Sequence, residues 1–501
     1  MKRLLLPSFP DVLFAALLAV VLARGAGLAT MLYDGDTGWH IRTGEWILRH
    51  GAVPRYDLFS FSRPHAPWTA WEWLSDVAFA RCFAWGGLTA VAAACACVLC
   101  LASALLLAWL LERGVGLWLA APVTLLVGSA STVHYLARPH VFTILLFTAG
   151  LWIVDRDRRL PGRQVWVLAP LTALWSNLHG GFALWPAVLW LLPAAVVLEG
   201  EGARWRRYAC LAGACSAATL LNPYGWNLHL HILEYLNSSW ILGQVQEFQP
   251  PEIRAENLLV FAGLLVAGVA LAARAAGHRR WFEPMLVWSL ALAALRSARH
   301  VPLYAIASAP VIAGECAAWW REAAARRTAR STLRVLWAIG QELGERRSLT
   351  CWAPVLGALA LVLLPSPVAD FPRARFPAEA LAATVSVLAP PGSTPRILTS
   401  DQWGDYLIFR LYPRQRVFFD GRSDFYGEAL GQDYQALLGA TAGAREVLER
   451  YRFDAALLPH DWPLERMLER DGAWQRIYRD GVAALFIRRP QQNPHLSEMK
   501  K

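Results

Sequence analysis

Apolar and polar positions alternate along the chain in long blocks, and the rhythm changes near its last quarter. Apolar runs bounded by charge, Pro or Gly fall at 11–31, 87–111, 115–133, 139–154, 164–177, 180–198, 207–221, 257–273, 281–295, 301–318 and 350–367. Their length and composition predict about eleven membrane spans. Between the first two lies a polar excursion, residues 32–85, which begins LYDGDTGWHIRTGEWILRHG and carries WTAWEWL near its end. From Phe371 onward, short β-rich runs at 396–400, 416–420, 455–459 and 482–489 alternate with helix-like segments, the pattern of a small α/β domain. The expected fold is a mainly α-helical polytopic membrane module over 1–369, with outer loop 1 at 32–85. An extracytoplasmic α/β domain follows over 370–501, ending in a disordered tail, QQNPHLSEMKK.

Composition agrees with that division. Of 501 residues, 56% are hydrophobic and 17% charged, and 25 are Trp, enough for aromatic anchoring at lipid headgroups. Mean hydropathy is +0.32. The net charge of +10 does not point to nucleic acid, because the arginines sit in short clusters between apolar runs and no binding motif accompanies them. Clusters at 155–163, 201–207 and 274–280 read as cytoplasmic loops under the positive-inside rule. The largest, 319–348, has the make-up of an amphipathic helix on the anionic inner leaflet. All eight cysteines lie in or beside apolar runs, so neither a disulfide framework nor a zinc site is indicated. The basic start and apolar core of residues 1–30 read as an uncleaved first helix rather than a signal peptide.

An N-terminus inside then gathers the unusual motifs on the opposite face: DGDTGWH, HYLARPH (134–140), SNLHGG (176–181), LNPYGWNLH (221–229) and RSARH (296–300), with the C-terminal domain. Asp34 and Asp36 stand two apart in a Gly-bearing turn, where a carboxylate suits a catalytic base. The bland alternative makes Asp36 the N-cap of the helix that follows, which explains one Asp and not the pair. In that helix Trp39, Thr43 and Trp46 share one face, as in a helix lying at the interface. His40 points elsewhere, either toward the acids or into a satisfied interfacial position. Glu72, with Trp73 among tryptophans, binds a sugar hydroxyl or an arginine, or else anchors structure. Arg138, His140, His179, Arg296, Arg299 and His300 place cationic donors at span ends; they suit a phosphate, unless each snorkels to headgroups. DGRSDFYG (420–427) looks like a turn, with structural Asp–Arg pairing the plainer account.

A first span, an Asp-bearing outer loop, a helix leading into GEWILRHGAVPRYD and an aromatic WEWL before the second span resemble the multi-spanning GT-C glycosyltransferases. The protein O-mannosyltransferase and aminoarabinose-transferase branch looks most similar, although TAWEWL replaces the lysine-proline pattern of the latter. The resemblance implies a polyprenyl-phosphate-linked sugar donor, an extracytoplasmic acceptor (protein, lipid or glycan) and a bacterial inner-membrane setting. It implies inverting transfer, with Asp34 or Asp36 as general base, and Arg138, Arg299 and His300 stabilising the departing phosphate. A divalent cation, Mg or Mn, could be held by Asp34 and Asp36, although two carboxylates are a thin ligand set. The alternatives are a transporter or flippase of lipid-linked sugars and a non-catalytic scaffold of envelope assembly.

Overall fold

Helix occupies each of the eleven apolar runs in the computed structural model, which describes residues 6–23, 27–253, 256–363 and 367–489. The first helices are α1 (Phe9–Ala23), α2 (Asp36–His50), α3 (Trp73–Glu112), α4 (Leu117–Ser131) and α5 (His140–Arg159). There follow α6 (Leu168–Leu178), α7 (Leu184–Leu198), α8 (Trp205–Ala218), α9 (Trp226–Asn237) and α10 (Ser239–Gln244). The apolar series ends with α11 (Glu256–Gly277), α12 (Phe282–Arg296), α13 (Val301–Ala325), α14 (Thr332–Gly344) and α15 (Trp352–Leu363). Parts of the first and last runs, the five leading residues and the expected tail at 491–501 lie outside the described residues.

Among the described residues, five helical stretches are long and apolar enough to cross a membrane: Trp73–Glu112, Leu117–His134, Gly180–Leu198, Leu258–Gly277 and Ala298–Ala325. The others are shorter or, like α5, carry several charges; at 1.5 Å per residue the 14 residues of α8 reach about 21 Å, against a hydrocarbon core of about 30 Å. The chain is therefore read as an integral membrane protein, with five candidate spans by length and composition among the described residues.

Chain contacts divide the protein into two compact units, one formed by residues 1–31 and 89–367 and the other by 32–88 and 368–501. The loop 32–88 thus groups with the C-terminal segment. The α3 helix passes from one unit to the other at its break, Gly86–Gly87, where Gly87 takes a φ of +63° that a side chain would disfavour.

In the first unit small residues let helices approach. Gly357 of α15 faces Phe14 of α1, and Gly268 of α11 faces the Tyr304 hydroxyl of α13, which donates to the Leu264 and Leu265 carbonyls at 3.1 Å. Such contacts suit bundles in lipid, where close backbone packing replaces a hydrophobic drive. The basic stretch 155–163 is not an open loop. Asp155 accepts from Trp109 at 2.8 Å, Asp157 pairs with Arg207 at 2.6 Å, and Arg158 pairs with Glu199 at 2.8 Å. Charge at this end of α5 is neutralised pair by pair, which is what burial of ionised groups demands.

The second unit is built on a sheet of order β1-β2-β4-β3, with β1 (Ile397–Leu398), β2 (Ala455–Pro459), β3 (Trp474–Arg479) and β4 (Ala483–Arg488). Strands β1 and β2 are parallel and the other pairs antiparallel. Helices α16 (Ala378–Leu388), α17 (Asp401–Leu411), α18 (Ser423–Leu438), α19 (Ala444–Tyr451) and α20 (Pro463–Glu469) complete it. Strand β3 escaped the sequence reading because it is an edge strand whose middle is exposed. The run 416–420 contributes bridges rather than a strand: Val417 pairs with Ile397 and with Ser60 of the loop. The loop is stitched on by reciprocal backbone bonds, Phe61 N–H to Val417 O and Val417 N–H to Phe59 O, each 2.9 Å.

Candidate functional site

Helix α2 begins at Asp36, and its cap is not the one the sequence suggested. Gly35 occupies the cap position without a side-chain bond, and Asp34 Oδ1 accepts the Asp36 N–H at 2.9 Å. An aspartate two residues ahead of a free amide closes an Asx turn, so the capping role belongs to Asp34 and leaves the Asp36 carboxylate for something else. Nor does α2 lie flat at an interface. Trp39 and Thr43 are buried and Trp46 is half-buried, stacked on His50 at 4.2 Å. Glycine explains the burial: a Cβ on Gly38 would stand 2.8 Å from the Asp405 carbonyl oxygen of α17, and one on Gly44 would stand 1.9 Å from the Asp76 carbonyl oxygen of α3.

That close approach brings Asp36 to a second acid. A Cβ placed on Gly421 would lie 2.1 Å from Asp36 Oδ1 and 2.9 Å from Asp405 Oδ2, so both oxygens converge over one bare Cα. Asp405 Oδ1 accepts the Gly421 N–H at 2.9 Å, while Oδ2 is buried without a hydrogen bond among the described residues. Burial, and then the charges of Asp36 and Asp420, push the Asp405 carboxyl well above the usual carboxylate range. Asp405 was not singled out from the sequence, though it sits in the acid- and aromatic-rich stretch 400–427. Its partnership with Asp36 spans 369 positions of chain, which no local pattern could announce.

His40 and Glu72 meet each other. The fully buried imidazole has Nδ1 2.5 Å from Asp76 Oδ1 and Nε2 3.7 Å from Glu72 Oε2. Asp76, which stands in the first turn of α3 four residues after Glu72, went unremarked in the sequence. The contact with Glu72 at this position is thus a histidine from α2. Trp73, the first residue of α3, is half-buried beside it in sequence. The DGRSDFYG turn is structural: Arg422 NH2 reaches Asp57 at 2.8 Å and Asp420 at 2.7 Å, and the Tyr426 hydroxyl donates to Asp420 at 2.6 Å. Four aromatic rings surround that guanidinium.

In the first unit the expected cations do gather, around an acid the sequence reading passed over. Arg138 pairs with Glu247 at 2.5 Å and Arg299 with the other oxygen of Glu247 at 3.2 Å. Desolvation pulls the Glu247 carboxyl up, but the two guanidiniums hold it well below the usual range. Two bonds to backbone carbonyls fix the loop: the Ser297 hydroxyl donates to Glu247 O at 2.9 Å and Ala298 N–H to Gln249 O at 2.9 Å. Nearby, His140 Nε2 meets the His134 carbonyl at 2.5 Å and its ring lies 6.4 Å from that of His179, whose Nδ1 meets the Thr143 hydroxyl at 2.8 Å. His300 keeps a buried Nδ1 without a hydrogen bond among the described residues. Arg296 is exposed and forms no ion pair among them.

The grouping with three metal-ligand types among the described residues is His460, Asp461 and Glu465, not Asp34 and Asp36. Arg479 already lies against it, 2.9 Å from His460 Nδ1 and 3.4 Å from Glu465 Oε1, and supplies the positive charge. Asp34 is engaged as a turn acceptor and Asp36 faces another carboxyl group. The loop pair alone is thus an incomplete ligand set for Mg or Mn. A crevice of about 400 Å³ opens at the carboxyl ends of the parallel strands β1 and β2, lined among others by Tyr33, Arg375, Asp401, Trp403, His460 and Trp462.

No family model matches the chain, and no curated protein matches it. Solved structures do. The oligosaccharyltransferase AglB of the archaeon Archaeoglobus fulgidus, in complex with an inhibitory peptide and a dolichol-phosphate, aligns with 97% of this chain and 74% of its own at a TM-score of 0.56 and 14% identity. The apo form of the Archaeoglobus fulgidus oligosaccharyltransferase aligns with 90% of this chain and 69% of its own, at a TM-score of 0.52 and 15% identity. The same enzyme tethered to an acceptor peptide containing the NVT sequon aligns with 90% and 68%, at 0.56 and 13%. These neighbours are GT-C proteins, the superfamily that the first outer loop resembles, and none is from the O-mannosyltransferase or aminoarabinose-transferase branch. At this identity the likeness is one of fold alone: the chain shares the architecture of these solved structures.

Proposed function

We propose that this protein is a membrane glycosyltransferase that moves a sugar from a polyprenyl-phosphate-linked donor to an extracytoplasmic acceptor: a protein, a lipid or a glycan. The observation that carries this reading is the likeness of fold to AglB over 97% of the chain, which takes in the acid-bearing loop and the C-terminal unit together. The neighbour's dolichol-phosphate and acceptor peptide support a lipid-linked donor and an acceptor of this kind. The finer branch, O-mannosyl or aminoarabinose transfer, rests on the sequence of the first outer loop alone.

In the proposed step an acceptor hydroxyl or amine attacks the anomeric carbon while the bond from that carbon to the phosphate oxygen breaks. The acceptor proton passes to a loop aspartate, Asp36 or Asp34, and the sugar inverts in one displacement. Polyprenyl phosphate or pyrophosphate leaves with the bonding electrons. Arg138 and Arg299, already held as a pair by Glu247, supply bidentate donors for the charge that develops there, with His300 as a third group. The acids and the C-terminal domain then belong outside the cytoplasm, with eleven spans and a cytoplasmic N-terminus, in a bacterial inner membrane.

The test is transfer by membranes containing the chain and a radiolabelled polyprenyl-phosphate sugar. Label appearing on an extracytoplasmic acceptor, with release of polyprenyl phosphate, is the expected result. Label that crosses the bilayer still attached to its lipid would instead make the protein a transporter.

A further inference from the structure

Most of the basic residues at the cytoplasmic-type ends of the first unit have acidic partners: Arg113 with Asp155 at 3.4 Å, Arg158 with Glu199 at 2.8 Å, Arg159 with Glu112 at 3.2 Å and Arg207 with Asp157 at 2.6 Å. The segment linking α13 to α15 breaks this pattern. Arg321, Arg326, Arg327, Arg330, Arg334, Arg346 and Arg347 are all exposed, and none forms an ion pair among the described residues. Only three glutamates, Glu322, Glu342 and Glu345, stand among them in sequence. Such a concentration of unpaired like charge is self-repelling and is stabilised by an anionic counterpart.

Three further observations say where that counterpart lies. Helix α13 belongs to a stretch long and apolar enough to cross a membrane, Ala298–Ala325, and the arginines begin at its end. Helix α14 lies against the turn between α3 and α4: Gln341 donates to the Gly114 carbonyl at 3.1 Å, and a Cβ on Gly340 would stand 2.7 Å from the Trp118 ring. It therefore lies beside the facing ends of α3 and α4. Its outer side exposes Leu333, Val335, Leu336 and Ile339, each about two-fifths accessible, next to Arg334. Trp320 of α13 and Trp337 of α14 meet there too, the ring type that settles at headgroup depth. Exposed apolar residues would be a liability in water but suit a helix half-sunk among acyl chains.

We propose that the segment from Arg321 to Arg347 is a docking surface for acidic phospholipid headgroups, with α14 lying in the interface as an in-plane helix. The arginines take up headgroup phosphates while the apolar side enters the acyl boundary. This function is independent of the transfer chemistry and holds whatever the sugar.

Amide hydrogen exchange of the full chain in lipid nanodiscs tests it. In discs where about a third of the lipid is phosphatidylglycerol, amides of 332–344 are expected to exchange about ten-fold more slowly than in discs of phosphatidylcholine alone. About 0.5 M salt should largely remove the difference. The triple substitution Arg326→Gln, Arg327→Gln, Arg330→Gln should reduce it, while α4 amides stay unchanged as a control for folding. Equal exchange in the two kinds of disc would overturn the proposal. So would equal slowing by RNA or an acidic polypeptide added to phosphatidylcholine discs, which would make the partner a soluble polyanion.

Discussion

At the scale of single residues, the account turns on two carboxyl groups meeting over a glycine. Burial and the charges of Asp36 and Asp420 raise the Asp405 carboxyl, so the folded chain holds this proton to a higher pH than the unfolded chain does. Stability from this group is complete below the ordinary carboxylate range and is lost as pH rises through the raised folded value. Asp405→Asn retains an acceptor for the Gly421 N–H and removes the charge. At alkaline pH it should raise the melting temperature of the second unit by roughly 2–4 °C and flatten its decline with pH. Scanning fluorimetry of the purified chain across that range reads both effects, and a lower melting temperature at every pH would contradict the assignment. Gly421→Ala should act oppositely, since its Cβ would collide with Asp36 Oδ1; a loss of about 1–3 kcal/mol in chemical denaturation is expected. The sequence showed that Asp34 and Asp36 were unusual but not how they differ. Their roles separate only when the turn at Gly35 forms and α17 arrives with Asp405.

Among the elements, the decisive joint is that between α2 and its neighbours. Gly44 meets the Asp76 carbonyl oxygen, which is backbone and cannot swing aside, so Gly44→Ala should destabilise the second unit by about 1–3 kcal/mol or more. Intact α2 packing with unchanged stability would contradict this. Arg422 closes the same region by joining the loop, through Asp57, to Asp420. Arg422→Ala would leave two buried carboxylates without their cation, at a cost of about 3–5 kcal/mol in urea unfolding. A cost under about 1 kcal/mol would mean that the pairing is incidental. Helices, and the strands near 397, 455 and 483, were legible because their apolar runs are continuous and bounded by turn residues. Strand β3 was not, because an exposed edge strand carries no apolar alternation. The Asp57–Arg422 pair was not legible either, as it joins residues 365 positions apart.

For the whole molecule, apolar runs located the five helical stretches that are long and apolar enough to cross a membrane among the described residues, while the remaining runs form shorter or more polar helices. Grouping by contacts was also beyond the sequence: the loop 32–88 reads as part of a membrane module, yet aligned backbone at Phe59, Phe61 and Val417 ties it to the C-terminal segment. Cationic residues at span ends were legible from the cost of charge there, whereas Glu247 was hidden in an ordinary polar loop. The function assigned to these parts requires one of the loop acids to take a proton. The most direct measurement compares Asp36→Asn with the native chain, both reconstituted in proteoliposomes with a labelled polyprenyl-phosphate sugar and an acceptor. Transfer should fall at least about 100-fold with donor retention unchanged. Near-normal transfer by Asp36→Asn, with Asp34→Asn equally active, would contradict the account.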